Sequence, residues 1–281
     1  MPKILVPIDF TRASMSALLY AWRLAAEMDG KITLMHVIQA GFTTADPMLM
    51  DTLDAAMKSA GDRLQNFLHE YEVVYGKEPG VQVPSQEIRF GIPGFTIADV
   101  ANDLSYDYVV SGMRDHHSFV DKMLGTTSAI IVRNCSCPVI LIHEKTRWVK
   151  PGKVIFTIDH ETDFDESVLD FCKFNLHFNA PTDFIHVKES ENADFAGKDA
   201  LLHELFLKNP PDFTFTVKSI SGGDVVQSIV DYTIFEKADL IVMVHRKRGF
   251  LDSVFKRSLS LTTAEGLHLP VMILSETVPV D

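Results

Sequence analysis

The chain repeats itself. Lys3-Ile-Leu-Val-Pro-Ile-Asp9 returns as Lys153-Val-Ile-Phe-Thr-Ile-Asp159, and His36-Val37 returns as His186-Val187, both 150 residues on. Asp107-Tyr-Val-Val returns as Asp239-Leu-Ile-Val, and Pro138-Val-Ile-Leu-Ile as Pro270-Val-Met-Ile-Leu, both at an offset of 132. The second copy is therefore 18 residues shorter (150 − 132) between its second and fourth apolar runs. One repeat of this size means two similar domains rather than a solenoid. A length of 281 residues suits two domains of ordinary size. We read them as 1–146 and 151–281, joined by the charged link KTRWVKPG from Lys145 to Gly152.

Within a copy, apolar runs alternate with amphipathic stretches. Lys3 to Ile8 is short and β-branched, the pattern of a central parallel strand buried on both faces. Thr11 follows as an N-cap. Leu18, Leu19, Trp22, Leu24 and Ala25 then recur at helical spacing to Met28, where Asp29-Gly30 stops the helix. Lys31–Ile38 reads as a second strand, Asp51–Tyr75 as a long helix and Gly80–Phe90 as a third strand. Gly91-Ile-Pro93-Gly94 turns into another helix. Tyr108–Ser111 reads as a fourth strand broken at Gly112, Gly125-Thr126-Thr127 as the opening of a helix, and Val139–His143 as a fifth strand. Short strand–helix connections imply right-handed parallel winding. The expected fold is α/β: two tandem doubly wound domains, each a five-stranded parallel sheet with helices on both faces.

Composition narrows the function. A net charge of −12 argues against nucleic-acid partners. No apolar run approaches the roughly 20 residues that span a bilayer. The chain enters a strand at Lys3, which leaves no room for a signal peptide. Cys135, Cys137 and Cys172 form neither an even framework nor a CxxC pair, so reduced thiols in a cytoplasmic protein are expected. Cys135-Ser-Cys137 reads as small buried hydrophobes before it reads as a metal or redox pair. No Walker lysine, nucleophile elbow, metal cluster or GxGxxG after the first strand is present, and we expect no enzyme. The stretch Tyr108–Val132 is different. A strand that hands its chain through a glycine loop to a helix N-terminus can hold an anion, because unpaired N–H groups and the helix dipole converge there.

Taken in order, Lys3-Ile-Leu-Val-Pro-Ile-Asp9-Phe, His36-Val37-Ile38, Gly91-x-Pro93, Asp107-Tyr-Val-Val-Ser-Gly112 and Cys137-Pro138-Val-Ile-Leu resemble the universal stress protein family. The resemblance covers both copies and is stronger in the first. It implies a Rossmann-like fold of the adenine nucleotide alpha hydrolase-like kind, and a regulatory protein of stress tolerance that binds a nucleotide or acts without one. It also implies pairing through the last strands, here Val139–His143 with Val271–Ser275 as a dimer-like unit within one chain, and further self-association. For the ligand it implies ATP or AMP in the first domain. Asp9 and the backbone around Val37 would face the adenosine, with Pro7 shaping the wall. Gly112 and Met113 would face the ribose, and Gly125, Thr126 and Thr127 the phosphates. The alternative is an interaction protein of the same family that acts through partner surfaces.

The nucleotide-binding branch of that family carries G-x2-G-x9-G-S/T. Here Gly112 and Gly125-Thr126 match, but the middle glycine is Asp115. A carboxylate beside anionic oxygens costs on the order of 4 kcal/mol at 4 Å and an effective dielectric near 20. Arg114, His116, His117, Lys122 or a magnesium ion held between Asp115 and phosphate would offset that. His116-His117 are adjacent in a loop and read as solvated rather than as a metal pair. In the second copy the corresponding residues are Val244, Lys247, Arg257 and Ser258, so no glycine survives, and His245–Arg248 forms a basic patch.

Overall fold

A computed structural model of the chain describes residues 1–39, 48–76, 82–113, 126–158, 164–188, 196–221, 224–245 and 268–275. They fall into two compact units that meet in sequence at Trp148 and Val149. The first unit runs β1 (Lys3–Pro7), α1 (Arg12–Met28), β2 (Lys31–Ile38), α2 (Met48–Tyr75), β3 (Ser85–Phe90), α3 (Pro93–Asp103), β4 (Tyr108–Met113), α4 (Thr126–Asn134) and β5 (Val139–His143). Its strands are parallel, in the order β3-β2-β1-β4-β5. The second unit runs β6 (Val154–Ile158), α5 (Phe164–Asn175), β7 (Thr182–Lys188), α6 (Ala196–Lys208), β8 (Phe215–Ser221), α7 (Val225–Phe235), β9 (Leu240–His245) and β10 (Val271–Ser275). Its order, β10-β9-β6-β7-β8, is the same winding, again all parallel.

The repeated sequence features have repeated physical jobs. Asp107 accepts the Lys3 N–H at 2.7 Å, and its own N–H donates to the Lys3 carbonyl at 2.9 Å. Asp239 does the same for Lys153, at 3.0 and 2.8 Å, and accepts the Gly152 N–H as well. Each aspartate thus closes the open start of a central strand against its neighbour.

α1 begins where its cap dictates. Thr11 and Ser14 form a reciprocal capping box, and Asp29 in the left-handed conformation ends the helix. α1 and α2 pack through Trp22 and Tyr71, whose rings stack 4.6 Å apart and 4° from parallel. On the other face α3 and α4 approach so closely that a Cβ on Gly94 would lie 2.6 Å from Ile130. The second unit fills its core with phenylalanine instead: Phe156, Phe171, Phe184, Phe206 and Phe213 form a chain of ring contacts.

Three expectations need adjustment. β3 starts at Ser85, not Gly80, because Pro84 has no N–H for the ladder, and Val83 is exposed. α2 includes Met48–Met50, ahead of the expected start at Asp51. β4 runs through Gly112 to Met113 instead of breaking there, since Gly112 pairs with Ile142 and Met113 with His143.

Candidate functional site

In the first unit the chain winds from β1 out to β3 on one side and from β4 to β5 on the other. The direction reverses between β1 and β4, and ligands of doubly wound sheets sit outside the carboxyl ends of the strands at such a point. Pro7 and Asp9 lie at that end of β1, and Gly112 and Met113 at that end of β4.

Asp9 is exposed, and its Oδ1 accepts from the Thr11 hydroxyl at 2.6 Å and the Thr11 N–H at 3.2 Å. The carboxylate is therefore oriented by the residue that caps α1. Phe10 between them adopts φ 63°, a left-handed conformation that a bulky residue takes only when its surroundings impose it. Those surroundings are His36 at 4.6 Å and Phe67 at 5.8 Å between ring centroids, with the exposed Arg63 guanidinium 4.1 Å above the ring. His36 Nδ1 lies 2.8 Å from the Ile8 carbonyl, which can only accept, so that nitrogen carries the proton. His36 is a hydrogen-bonded histidine packed against Phe10.

β2 outruns β1. The register between them ends at Pro7↔Met35, with one further bond from Ile8 N to Met35 O at 2.8 Å. Val37 lies beyond that ladder, so the edge of its backbone on the β1 side is not covered by β1. Alternation along each strand then sorts the side chains. His36 faces Phe10 and α2, so buried Val37 faces the opposite side. Gly112 faces α1, so Ser111 and Met113 share the side of α4. Pro7, Asp9, Val37 and Met113 thus lie at the carboxyl ends of the adjacent strands β1, β2 and β4, with Val37 and Met113 on the side of α4 and His36 on the other.

Gly112 has a reason of its own to be glycine. A Cβ there would lie 2.5 Å from the carbonyl carbon and oxygen of Ala13 and 2.8 Å from Ser14 N, inside the first turn of α1. Its carbonyl accepts the Ser128 hydroxyl at 3.2 Å, and Ser128 Oγ also lies 3.4 Å from Ser111 Oγ. Buried Ser128 thereby ties the end of β4 to the first turn of α4. Sequence reading passed over Ser128 although it extends the hydroxyl run Thr126-Thr127. It also passed over Phe10 and Arg63, which no local pattern marks. Thr126 opens α4 and Thr127 is half-buried behind it. Arg114, Asp115, His116, His117, Lys122 and Gly125 lie outside the described residues, as do Asp159, Lys247, Arg257 and Ser258 of the second copy. Among the described residues no group of three or more His, Cys, Asp or Glu side chains could hold a metal, and no helix is long and apolar enough to cross a membrane.

Residues 1–143, about half of the chain, match the model of the universal stress protein family. The chain belongs to that family. A universal stress protein of Mycolicibacterium smegmatis is 30% identical over 142 residues, 50% of this chain and 47% of that one. One from Methanocaldococcus jannaschii is 22% identical over 142 residues, 50% of this chain and 81% of that one. The matched region thus spans about half the length of the mycobacterial relative. A crystal structure of a universal stress protein from Archaeoglobus fulgidus superposes with a TM-score of 0.69 at 18% identity, covering 98% of both chains. The likeness is one of fold, and it extends over both copies of this universal stress protein.

Proposed function

We propose that the first unit binds an adenine nucleotide, ATP or AMP, and that the chain is a ligand-sensing regulatory protein rather than an enzyme. The observation that carries this reading is the convergence of Asp9, the uncovered edge of Val37, Met113 and the start of α4 at the point where the strand order reverses. The backbone of Val37 would meet the adenine edge. The Asp9 carboxylate accepts only, so it would take a ribose hydroxyl or the exocyclic amine. Pro7 would wall the base, and Gly112 and Met113 would line the ribose side. Gly125, Thr126 and Thr127 would hold phosphate with the free N–H groups of the first turn of α4. A magnesium ion between Asp115 and the phosphates would relieve the repulsion that the missing glycine creates. A cytoplasmic setting and self-association through the last strands go with this reading.

Calorimetry with ATP, AMP and adenosine, each with and without magnesium, tests it. Binding of at least one nucleotide is expected, and ATP binding that needs the metal supports the bridging ion. No heat with any of the three would overturn the sensing role and leave the partner-surface reading.

A further inference from the structure

The turn that joins α4 to β5 is Asn134-Cys135-Ser136-Cys137-Pro138, and nothing in the nucleotide reading uses it. Its two thiols stand one residue apart on the same short turn, close enough for Cys137 to bear on Cys135. Two consecutive Cα steps of about 3.8 Å limit residues i and i+2 to roughly 7 Å. The chain also bends at Ser136 and Cys137, which brings the pair toward the 4.4–6.8 Å that a disulfide spans. Asn102 of α3 clamps the turn from outside. Its Nδ2 donates to the Asn134 carbonyl at 2.9 Å, and its Oδ1 accepts from Ser136 N at 2.9 Å and Ser136 Oγ at 2.8 Å. Ser136, between the cysteines, is thus held by two hydrogen bonds to Asn102, and Asn134 by a third.

Access is unequal. Cys135 is buried and Cys137 half-buried. The hydrogen bond to Cys137, then burial, then nearby Asp99 push the Cys135 thiol well above its ordinary range, so it is not the sulfur that attacks first. Cys137 is the one an oxidant reaches.

We propose that Cys135 and Cys137 are a modification site at which a hydroperoxide converts the dithiol into an intramolecular disulfide. The Cys137 sulfur attacks the outer peroxide oxygen, the O–O bond breaks, and an alcohol or water leaves with the thiol proton. Cys137 is then a sulfenic acid. The Cys135 sulfur displaces its hydroxyl, forming the S–S bond, and the hydroxyl leaves as water with the Cys135 proton. The peroxide gains the two electrons that the thiols lose. A disulfide that closes so small a ring is strained and easily reduced, so a dithiol reverses it. Cys172, on α5 and raised to about 11 by burial, has no such neighbour in sequence and serves as the internal control.

The test uses the full chain, reduced and then treated with hydrogen peroxide, blocked with an alkylating agent and cut with trypsin. Asn134 to Lys145 is released as one peptide with both cysteines, separate from Cys172. The expected product is that peptide lighter by two hydrogens and unalkylated, restored by dithiothreitol. Retained thiols, sulfinic acid on Cys137, or a crosslink through Cys172 would overturn the proposal. Cys135→Ser should trap Cys137 as a sulfenic acid that a dimedone probe labels. Should that variant fail to fold, Asn102→Ala supplies a second reading: disulfide formation should slow about tenfold, the scale of losing a few hydrogen bonds that hold a geometry. Formation at the wild-type rate in Asn102→Ala would remove the clamp from the account.

Discussion

At the scale of single residues, glycine and its replacement carry opposite lessons in the first unit. Gly112 is where the motif expects it, yet its contacts with Ala13 and Ser14 would demand glycine with no ligand at all. Gly112→Ala should therefore destabilise the fold by about 1–3 kcal/mol, the usual cost of overpacking against backbone that cannot move aside. Chemical denaturation without nucleotide measures this, and an unchanged midpoint would return Gly112 to a purely ligand-facing role. Asp115 is the reverse case, a carboxylate where the motif has its middle glycine. Asp115→Gly should strengthen metal-free ATP binding by on the order of 1–3 kcal/mol, the scale of relieving one unfavourable buried contact. Weaker binding would make Asp115 a ligand or metal residue instead. Thr11 shows what one sequence can declare by itself: its hydroxyl, its spacing to Ser14 and the apolar period behind it all point to the same cap. Phe10 shows what it cannot. Its backbone is left-handed and its ring packs against Phe67 and Arg63 of α2, more than 50 residues away.

At the scale of elements, the two copies keep one register and fill it differently. Thr33 opposite Ser85 in the first unit corresponds to Asp183 opposite Thr216 in the second. The hydroxyl pair, 2.9 Å apart, becomes an ionic cluster. Buried Asp183 accepts from Lys153 at 2.8 Å, Thr216 at 2.5 Å, Tyr232 at 2.8 Å and Lys218 at 3.2 Å. Burial alone would raise this carboxyl. The hydrogen bonds from Lys153, Thr216, Tyr232 and Lys218 outweigh it and hold the group at about 2, below its ordinary 3.8. A lowered folded value means that the cluster stabilises fully above pH 3.8 and loses its effect as the pH falls through about 2. Asp183→Asn should cost about 2–3 kcal/mol at neutral pH, somewhat less than a fully buried pair because Lys218 is partly exposed. The gap between variant and wild type should narrow as the pH drops from about 4 toward 2, read by urea denaturation at stepped pH. A gap that is constant over that range would mean that packing, not charge, sets the cost. β6 and β7 were legible as repeats of Lys3–Asp9 and His36-Val37, but β8, which carries Thr216 and Lys218, was not read from the sequence. Nor was the cluster, because its members come from β7, β8, α7 and the residue before β6, and no local spacing connects them.

At the scale of the whole molecule, the duplication asks whether one site or two survive. The order of strands is the same in both units, so the second also reverses direction between β6 and β9, where folds of this kind place a ligand crevice. What differs is the chemistry at its rim. Where the first unit has Gly112 one residue before the end of β4, the second has Val244 one residue before the end of β9, and its branched side chain is buried. Neither glycine of the loop motif is retained there, and Arg257 stands where Gly125 would open the helix. Geometry that is kept while its close-approach residues are lost predicts a single nucleotide per chain. Calorimetric titration should give a stoichiometry near one. Hydrogen exchange with saturating ATP should protect the ends of β1 and β4 and the first turn of α4, and leave β6 and β9 unchanged. At a ligand concentration about 100-fold above Kd, the bound unit should gain roughly 2.7 kcal/mol against local and global opening, enough to slow exchange about a hundredfold. A stoichiometry of two, or protection at the end of β9, would show that Val244 does not close the second crevice and that the duplicated fold kept both of its sites.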